Sequence, residues 1–269
     1  MTALKTAGEI LETVLEDGHK ELDRASTGLA FSGFAAGLNI SFGAVAVGVV
    51  GAVTGGTGLV AMLFYPIGFL IVMLGRGQLF TTNTVTPVTV VLDEKLSNIP
   101  NMLRLWAVIF IFNILGTVVF AAVVVYGKVL SPTALELLFD EVTTKLEYGF
   151  WITALKAVFG GWLVALMVWL AASATETISQ AFFIYALALI IPVGGLTHCI
   201  AGSSEVLMSV LAGEASVTQY LGLFLIPTTL GNIVGGVVLV ALLNYAQVAG
   251  SEGENFLAGN TEGDRQEKS

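Results

Sequence analysis

The chain has 269 residues, of which 55% are hydrophobic and only 12% are charged, and its mean hydropathy is +0.87. A soluble domain carries roughly 25% charged residues, so this composition indicates that a lipid bilayer is the solvent of most of the chain. The net charge of −9 argues against nucleic-acid binding, the single cysteine (Cys199) excludes internal disulfides and multi-cysteine metal sites, and two histidines are too few for paired haem ligands, so we expect no cofactor and no metal.

The first 28 residues are predicted to form a cytoplasmic segment with an amphipathic helix. Residues 9–24 place apolar side chains at near-helical spacing among acids, as helices at a membrane surface do. The segment lacks the basic region and the apolar core of a signal peptide, so we expect the N-terminus to stay in the cytoplasm. The sequence leaves open whether this helix gates a pore mouth or only packs on the helix bundle.

Residues 29–247 are predicted to form one transmembrane channel domain with six crossings. The apolar runs lie near 29–53, 59–92, 102–126, 150–172, 179–212 and 218–245. The second and fifth runs have 34 residues each, whereas a membrane helix needs roughly 20. Each of these two runs contains a polar cluster, from Thr81 to Thr84 in one and from Thr197 to Ser204 in the other. Because polar backbone is tolerated in hydrocarbon only beside a cavity, the pattern predicts that helices 2 and 5 are broken.

An internal repeat with an offset of 119 residues relates the two halves of the domain. A shift of 119 residues aligns the segment from Asn113 to Gly116 with the segment from Asn232 to Gly235, and it aligns Leu79 with His198. The first and fourth spans match more weakly, with Gly33-Phe34 against Gly161-Trp162. Three crossings are an odd number, so the second copy must run through the membrane in the opposite sense. The predicted fold class is an all-α membrane protein with six transmembrane helices in two inverted three-helix repeats.

The basic residues predict that both termini are cytoplasmic and that the protein lies in the inner membrane. With the N-terminus inside, the cytoplasmic side holds Lys5, Lys20, Arg24, Lys95, Arg104, Arg265 and Lys268, against at most three on the outside, Lys128, Lys145 and Lys156. This distribution agrees with the positive-inside rule. Residues 248–269 are predicted to form a disordered acidic tail in the cytoplasm.

The two helix breaks are predicted to line a solute path. Broken helices of an inverted repeat aim their half-helix N-termini at a central site, which favours anions. The candidate lining residues are Leu79 and Phe80 as an apolar constriction, with Thr81, Thr82, Asn83 and Thr197 as polar groups. His198 is the only titratable ring in the apolar part of the chain, where it could donate a hydrogen bond or a proton to a weak-acid anion. The alternatives are a loop that satisfies its own backbone and a structural histidine bonded to a carbonyl.

Four further residues are predicted to have structural roles at the breaks. Asn113 and Asn232 are repeat-related and could bond the carbonyls that the breaks set free. Arg76 and Glu205 are the charges nearest to the breaks, and each is costly at membrane depth unless it is neutralised. They could form a buried ion pair, or each could extend separately to an interface.

These residues resemble the formate/nitrite transporters, a family with an aquaporin-like fold that assembles as pentamers with one pore per protomer. The resemblance covers nearly the whole chain and rests on Ala36-Gly37, Leu79-Phe80-Thr81, His198 and the segment from Gly231 to Gly236. The chain looks most like the YfdC-like branch, judged by Gln78-Leu79-Phe80-Thr81, Gly161-Trp162-Leu163 and Thr197-His198. The resemblance implies that Thr81 and His198 lie at the pore centre, and that a vestibule holds a lysine, for which Lys145 fits better than Lys156.

We therefore expect a transporter of small monovalent anions, such as weak acids like formate and nitrite, that is a homopentamer in the bilayer and not an enzyme. Three positions depart from the formate and nitrite channels, where acids stand in place of Thr197 and Gln78 and an asparagine in place of Gly161. The substrate is therefore not inherited from the family. A neutral-solute channel of aquaporin type and a non-transporting membrane protein remain alternatives, although no Asn-Pro-Ala pair is present. A membrane enzyme is disfavoured because no catalytic set is assembled.

Overall fold

The computed structural model describes residues 5–94 and 96–250, and every regular element in these ranges is helical. This confirms the prediction of an all-α protein for the part of the chain that is described. The predicted acidic tail lies outside the described residues from position 251 onward. Lys95, Arg265 and Lys268, which entered the prediction of orientation, lie outside them as well.

The helices follow one another along the chain with short connections. In order they are α1 (Ala7–Leu22), α2 (Ser26–Ile40), α3 (Phe42–Thr54), α4 (Leu59–Met62), α5 (Pro66–Leu74), a 3₁₀ turn (Thr82–Thr84), α6 (Thr86–Asp93), α7 (Ile99–Tyr126), α8 (Pro132–Glu147), α9 (Gly149–Ser173), α10 (Thr177–Val193), α11 (Ala201–Ala212), α12 (Val217–Gln219), a π-helical turn (Tyr220–Leu225), α13 (Ile226–Gly236) and a second π-helical turn (Val237–Leu242).

Four helical stretches are long and apolar enough to cross a membrane: Ser26–Thr54, Ile99–Tyr126, Gly149–Ser173 and Val217–Gly250. The first contains α2 and α3, and the last contains α12, α13 and both π-helical turns. Large apolar side chains are strongly exposed on these stretches, for example Phe31 at 80% and Trp151 at 81%. Exposed apolar surface of this kind marks contact with lipid or with another subunit. The chain is therefore a membrane protein.

The second and fifth apolar runs are each interrupted by a non-helical stretch. In the second run α5 ends at Leu74 and α6 begins only at Thr86, with the 3₁₀ turn between them. In the fifth run α10 ends at Val193 and α11 begins at Ala201. We call the two interruptions the first and second break. The first contains the whole cluster from Thr81 to Thr84, whereas the second contains Thr197 and His198, and Ser203 and Ser204 lie in the first turn of α11.

Helix α1 packs on the bundle through its apolar face. Thr6 and Glu9 form a capping box at its N-terminus, which fixes where the helix starts. Its buried residues are Ile10, Leu11, Val14, Gly18 and Leu22. A Cβ at Gly18 would overlap the carbonyl of Thr86, so α1 lies directly against the start of α6.

Close helix pairs with matching contacts occur in the two halves of the chain. Helix α2 packs on α7, and α9 packs on α13. A Cβ at Gly37 would overlap the carbonyl of Asn113, and a Cβ at Gly161 would overlap the carbonyl of Asn232. These contacts match Gly161 with Gly37, so the expected alignment of Gly161 with Gly33 is wrong by four residues. A shift of four residues is about one helical turn, and it leaves the same face of an apolar helix pointing toward the neighbour. The sequence period therefore does not distinguish the two alignments.

Candidate functional site

Asn113 and Asn232 hold the two breaks with equivalent hydrogen bonds. Asn113 Nδ2 donates to the carbonyls of Gly33 (2.7 Å) and Gln78 (2.9 Å), and its Oδ1 accepts from the amide of Phe80 (2.8 Å). In the other half, Asn232 Nδ2 donates to the carbonyls of Ala157 (2.7 Å) and Thr197 (3.1 Å), and Oδ1 accepts from the amide of Cys199 (2.9 Å). Each amide side chain therefore satisfies one carbonyl and one amide of the break, and it ties them to a carbonyl of the neighbouring helix, α2 in one half and α9 in the other.

Thr81 of the first break and His198 of the second break are in direct contact. Thr81 Oγ1 lies 2.7 Å from His198 Nε2, and both residues are buried. His198 Nδ1 accepts from the backbone amides of Ile200 (3.3 Å) and Ala201 (3.0 Å), at the start of α11. A ring nitrogen that accepts from N–H groups carries no proton, so in the neutral imidazole the proton is on Nε2. His198 therefore donates to Thr81 Oγ1, which leaves the Thr81 hydroxyl proton for another acceptor.

Aromatic side chains surround this contact. The Phe69 ring of α5 meets the His198 imidazole edge to face, with centroids 5.1 Å apart, and Tyr65 lies 5.9 Å from Phe69. Neither residue is marked by the sequence, because an aromatic residue in a long apolar run gives no signal that distinguishes it. The Phe80 ring packs against Trp106 and Phe110 of α7 at 5.6 and 5.0 Å.

The other candidates of the two breaks are held mainly by protein groups. Asn83 Nδ2 donates to Gln78 Oε1 and to the carbonyl of Leu79, and Thr82 Oγ1 donates to the same carbonyl. Thr197 Oγ1 donates to the carbonyl of Thr153. Leu79, Asn83 and Thr197 are buried, whereas Thr82 is half-buried and also borders a cavity.

That cavity, here called the α1-side cavity, has a volume of about 370 Å³. It lies between α1, the first break and the neighbouring ends of α9 and α10. Its lining includes Gln78 and Thr82 of the break, together with Glu21 of α1. The Glu21 carboxylate accepts from Thr86 Oγ1 at 2.5 Å and from Gln78 Nε2 at 3.4 Å. Burial raises the pKa of Glu21, and the two hydrogen bonds oppose this effect.

A smaller cavity of about 50 Å³, here called the α8-side cavity, lies at the other end of α5 and α10. Gln180 and Ile184 of α10 line the first cavity and Ile191 lines the second. Helix α10 has 17 residues, which corresponds to about 25 Å, so the two cavities open toward opposite ends of the bundle. Thr82 borders one cavity and Leu196 the other, and therefore the contact of Thr81 with His198 lies between them.

In the α8-side cavity the Lys145 ammonium forms an ion pair with Glu205. Glu205 is 6% exposed and Lys145 is 20% exposed. Arg76 instead is exposed and lines the α1-side cavity. Of the two alternatives for these charges, the ion pair between Arg76 and Glu205 is therefore wrong, because the two residues lie at opposite ends of the bundle. Lys156 takes no part in the Lys145–Glu205 pair, and its Nζ lies 3.0 Å from the carbonyl of Gly195 and 4.4 Å from the centroid of the Tyr148 ring.

Two interrupted apolar helices that meet between opposed cavities, in a bundle with four membrane-length helical stretches, define a polytopic membrane channel or transporter. The chain belongs to the formate/nitrite transporter family. The sequence model of that family, described as "Formate/nitrite transporter", matches residues 8–246.

Individual relatives agree with this assignment. The chain is 34% identical over 254 residues to the inner membrane protein YfdC of Escherichia coli. That alignment covers 89% of this chain and 78% of the relative. It is 30% identical over 243 residues to a probable formate transporter of Methanothermobacter thermautotrophicus, covering 79% of this chain and 85% of that protein. Among solved structures, a pentameric formate channel with formate bound superposes with a TM-score of 0.71 at 22% identity, over 83% of this chain and 98% of that one. At that identity the structural match supports the fold alone.

Proposed function

We propose that this protein conducts small monovalent anions, the conjugate bases of weak acids such as formic and nitrous acid, through a path centred on His198. The observation that carries the proposal is the buried contact of Thr81 Oγ1 with His198 Nε2 between two opposed cavities. Relatives support the substrate class, since one is named a probable formate transporter and a structure with the same fold holds formate.

The hydrogen bonds at the centre suit a weak-acid anion. His198 donates from Nε2 to Thr81, so the Thr81 hydroxyl can donate onward to an oxygen of the solute. Phe69 and Leu79 leave few other polar partners nearby, and a solute at this point loses most of its water. A donor that replaces lost water favours an anion over a neutral apolar solute. A second proton on Nδ1 would face the amides of Ile200 and Ala201, so proton transfer through His198 requires those two hydrogen bonds to open.

The proposal includes the architecture in the membrane. The equivalent hydrogen bonds of Asn113 and Asn232 support two inverted three-helix repeats with six crossings and an aquaporin-like arrangement. We further propose that both termini are cytoplasmic, which places the α1-side cavity on the cytoplasmic side. A homopentamer with one pore per protomer is supported by the pentameric formate channel that shares the fold.

Flux into proteoliposomes tests this function. The purified protein is reconstituted and challenged with formate, nitrite, acetate, lactate and hydrosulfide, and with glycerol and urea as neutral solutes. We expect flux for one or more of the anions above that of protein-free vesicles, and none for the neutral solutes. Flux of the neutral solutes alone would replace the proposal by a channel of aquaporin type, and no flux of any solute would refute transport.

A further inference from the structure

The loops that follow α5 and α10 have matching backbone hydrogen bonds, but the position with a positive φ is arginine in one and glycine in the other. The amides of Arg76 and Gly77 donate to the carbonyls of Met73 (3.2 Å) and Val72 (2.8 Å). The amides of Gly195 and Leu196 donate in the same way to Pro192 (3.0 Å) and Ile191 (2.8 Å), each partner 119 residues further along.

Arg76 occupies a backbone conformation that suits glycine. Its φ is 55°, and the φ of the matching Gly195 is 57°. Residues other than glycine rarely adopt this left-handed backbone conformation, because their Cβ then crowds the backbone. In the second half of the chain the position is filled by glycine, so the loop itself does not require an arginine. The reason for an arginine here must therefore lie in the surroundings of its side chain.

The guanidinium of Arg76 makes no hydrogen bond or ion pair with any other described side chain or carbonyl. It lines the α1-side cavity beside Gln78 of the first break. Basic groups exceed acidic ones in the described lining, where the charged residues are Lys5, Lys20, Arg24 and Arg76 against Asp17 and Glu21. Some of the basic groups are already occupied, since Lys5 Nζ donates to the carbonyl of Ala172 and Lys20 lies near Asp17 and Glu16.

The α8-side cavity has no such basic excess. Lys145 is paired with Glu205, and Glu141 lines the same cavity and accepts from Thr57 Oγ1 at 2.6 Å. The described lining there holds one basic group against two carboxylates. Lys156 also reaches this side, with Nζ 3.0 Å from the carbonyl of the lining residue Gly195, so basic and acidic groups balance there. The basic excess of the α1 side therefore attracts an anion more strongly.

From these observations we propose that Arg76 is an anion-binding residue at the α1-side mouth of the path, where its guanidinium captures a small carboxylate or other oxyanion before the anion reaches Thr81. A guanidinium presents parallel N–H donors that match the two oxygens of such anions, and it stays charged at every physiological pH. This inference rests on the proposed function, and it assigns to this chain an anion site on the side of α1.

The test compares formate flux in three forms of the protein, reconstituted in vesicles that expose α1 outward. Arg76→Gly removes the charge and supplies the residue that the matching loop already has, so the fold is expected to tolerate it. Lys128→Gly is the matched control, because Lys128 is an exposed basic residue with a φ of 50° that lies away from both cavities. Arg76→Gln, which is uncharged but keeps a side chain, is measured in parallel in case Arg76→Gly fails to assemble.

We expect Arg76→Gly and Arg76→Gln to raise the half-saturating formate concentration about tenfold, as the loss of one charge-assisted hydrogen bond does. Maximal flux should change little, and Lys128→Gly should match the wild type. Added sodium gluconate should weaken formate capture in the wild type more than in the Arg76 variants, because salt screens the attraction between the Arg76 charge and formate, which only the wild type has. An unchanged half-saturating concentration in the Arg76 variants would overturn the site while leaving the proposed function intact. A wild type that carries no formate would instead overturn the proposed function.

Discussion

Asn113 and Asn232, 119 residues apart, each use one side-chain amide to bond two carbonyls and one backbone amide around a helix break. Both side chains are fully buried. Each break is therefore fixed by a side chain of the neighbouring helix. The positions of Thr81 and His198 depend on these contacts, because Phe80 and Cys199 are the residues bonded next to them.

The first prediction concerns these asparagines. Asn113→Ala and Asn232→Ala should each destabilise the protein by about 2–4 kcal/mol, because buried backbone groups lose their only side-chain partner. Thermal unfolding of the detergent-solubilised oligomer measures the effect. Asn101→Ala, an exposed asparagine on α7, is the control and should be nearly neutral. Equal stability of the two buried variants and the control would contradict the role assigned to the asparagines.

The second prediction is that Lys145 and Glu205 are energetically coupled. Glu205→Gln or Lys145→Met alone should cost roughly 3 kcal/mol, because each strands a mostly buried charge, whereas the double variant should cost less than the sum. A double-mutant cycle on unfolding measures the coupling. The exposed pair Lys20 and Glu16 serves as control, with an expected coupling of about 0.3–0.5 kcal/mol. Additive losses at Lys145 and Glu205 would show that the pair contributes nothing.

The coupling between Lys145 and Glu205 should depend on pH through the titration of Lys145. Burial alone would lower the pKa of Lys145, but Glu205 together with the nearby Glu141 and Tyr148 outweighs it, and the pKa is raised above its ordinary value of 10.5. A raised lysine pKa stabilises the folded protein below the unfolded value, and this contribution is lost as pH rises through the folded value. The coupling should therefore be constant at neutral pH and decline only in strong alkali.

The third prediction concerns Glu21 and the docking of α1. Because burial raises the pKa of this carboxyl above its ordinary value of 4.5, the docked helix binds the proton more readily than the undocked one. Docking should therefore strengthen as pH falls through the raised value toward the ordinary one. Hydrogen exchange of the α1 amides should slow relative to the intrinsic rate over that interval. Glu21→Gln should remove this dependence and the exposed Glu12→Gln should keep it, and the reverse result would exclude Glu21 as the titrating group.

The sequence predicts the breaks well because their signals are local. A run of 34 residues is too long for one crossing, and polar residues stand out within it. The offset of 119 also identifies Asn113 and Asn232 as equivalent before any contact is known. These features depend on composition and repeat alone, which a single sequence contains.

The partners of the charged residues could not be predicted in the same way. An ion pair of Arg76 with Glu205 was one of two alternatives, because both residues flank a break. The two breaks belong to opposite ends of the bundle, so the residues that flank them do not meet. Glu205 therefore lies beside Lys145 of α8, 60 residues away, and Arg76 lies under α1. The period of α8 does encode its buried face, formed by Ala134, Leu138, Val142 and Leu146. It does not encode which helix that face packs against, so the contact of Lys145 with Glu205 could not be read from it.

The fourth prediction concerns the coupling of anion and proton movement. When the two hydrogen bonds at Nδ1 open, His198 can take up a proton and pass it to the anion, so formate uptake should rise as external pH falls from about 8 to about 5. Stopped-flow uptake into vesicles of fixed internal pH measures this, with protein-free vesicles correcting for direct diffusion of formic acid. Uptake independent of pH would show that the anion crosses without a proton.

The most direct test of the account is the formate flux of His198→Phe, reconstituted as the assembled oligomer beside His19→Phe. His19 is the other histidine of the chain and lies half-exposed on α1 near Glu94, so it controls for the substitution itself. Removing the His198 imidazole takes the donor from Thr81 Oγ1 and fills the centre of the path with an apolar ring. We predict that His198→Phe assembles normally but loses formate flux to the level of protein-free vesicles, while His19→Phe conducts like the wild type. Unchanged flux and unchanged pH dependence in His198→Phe would contradict a path centred on His198.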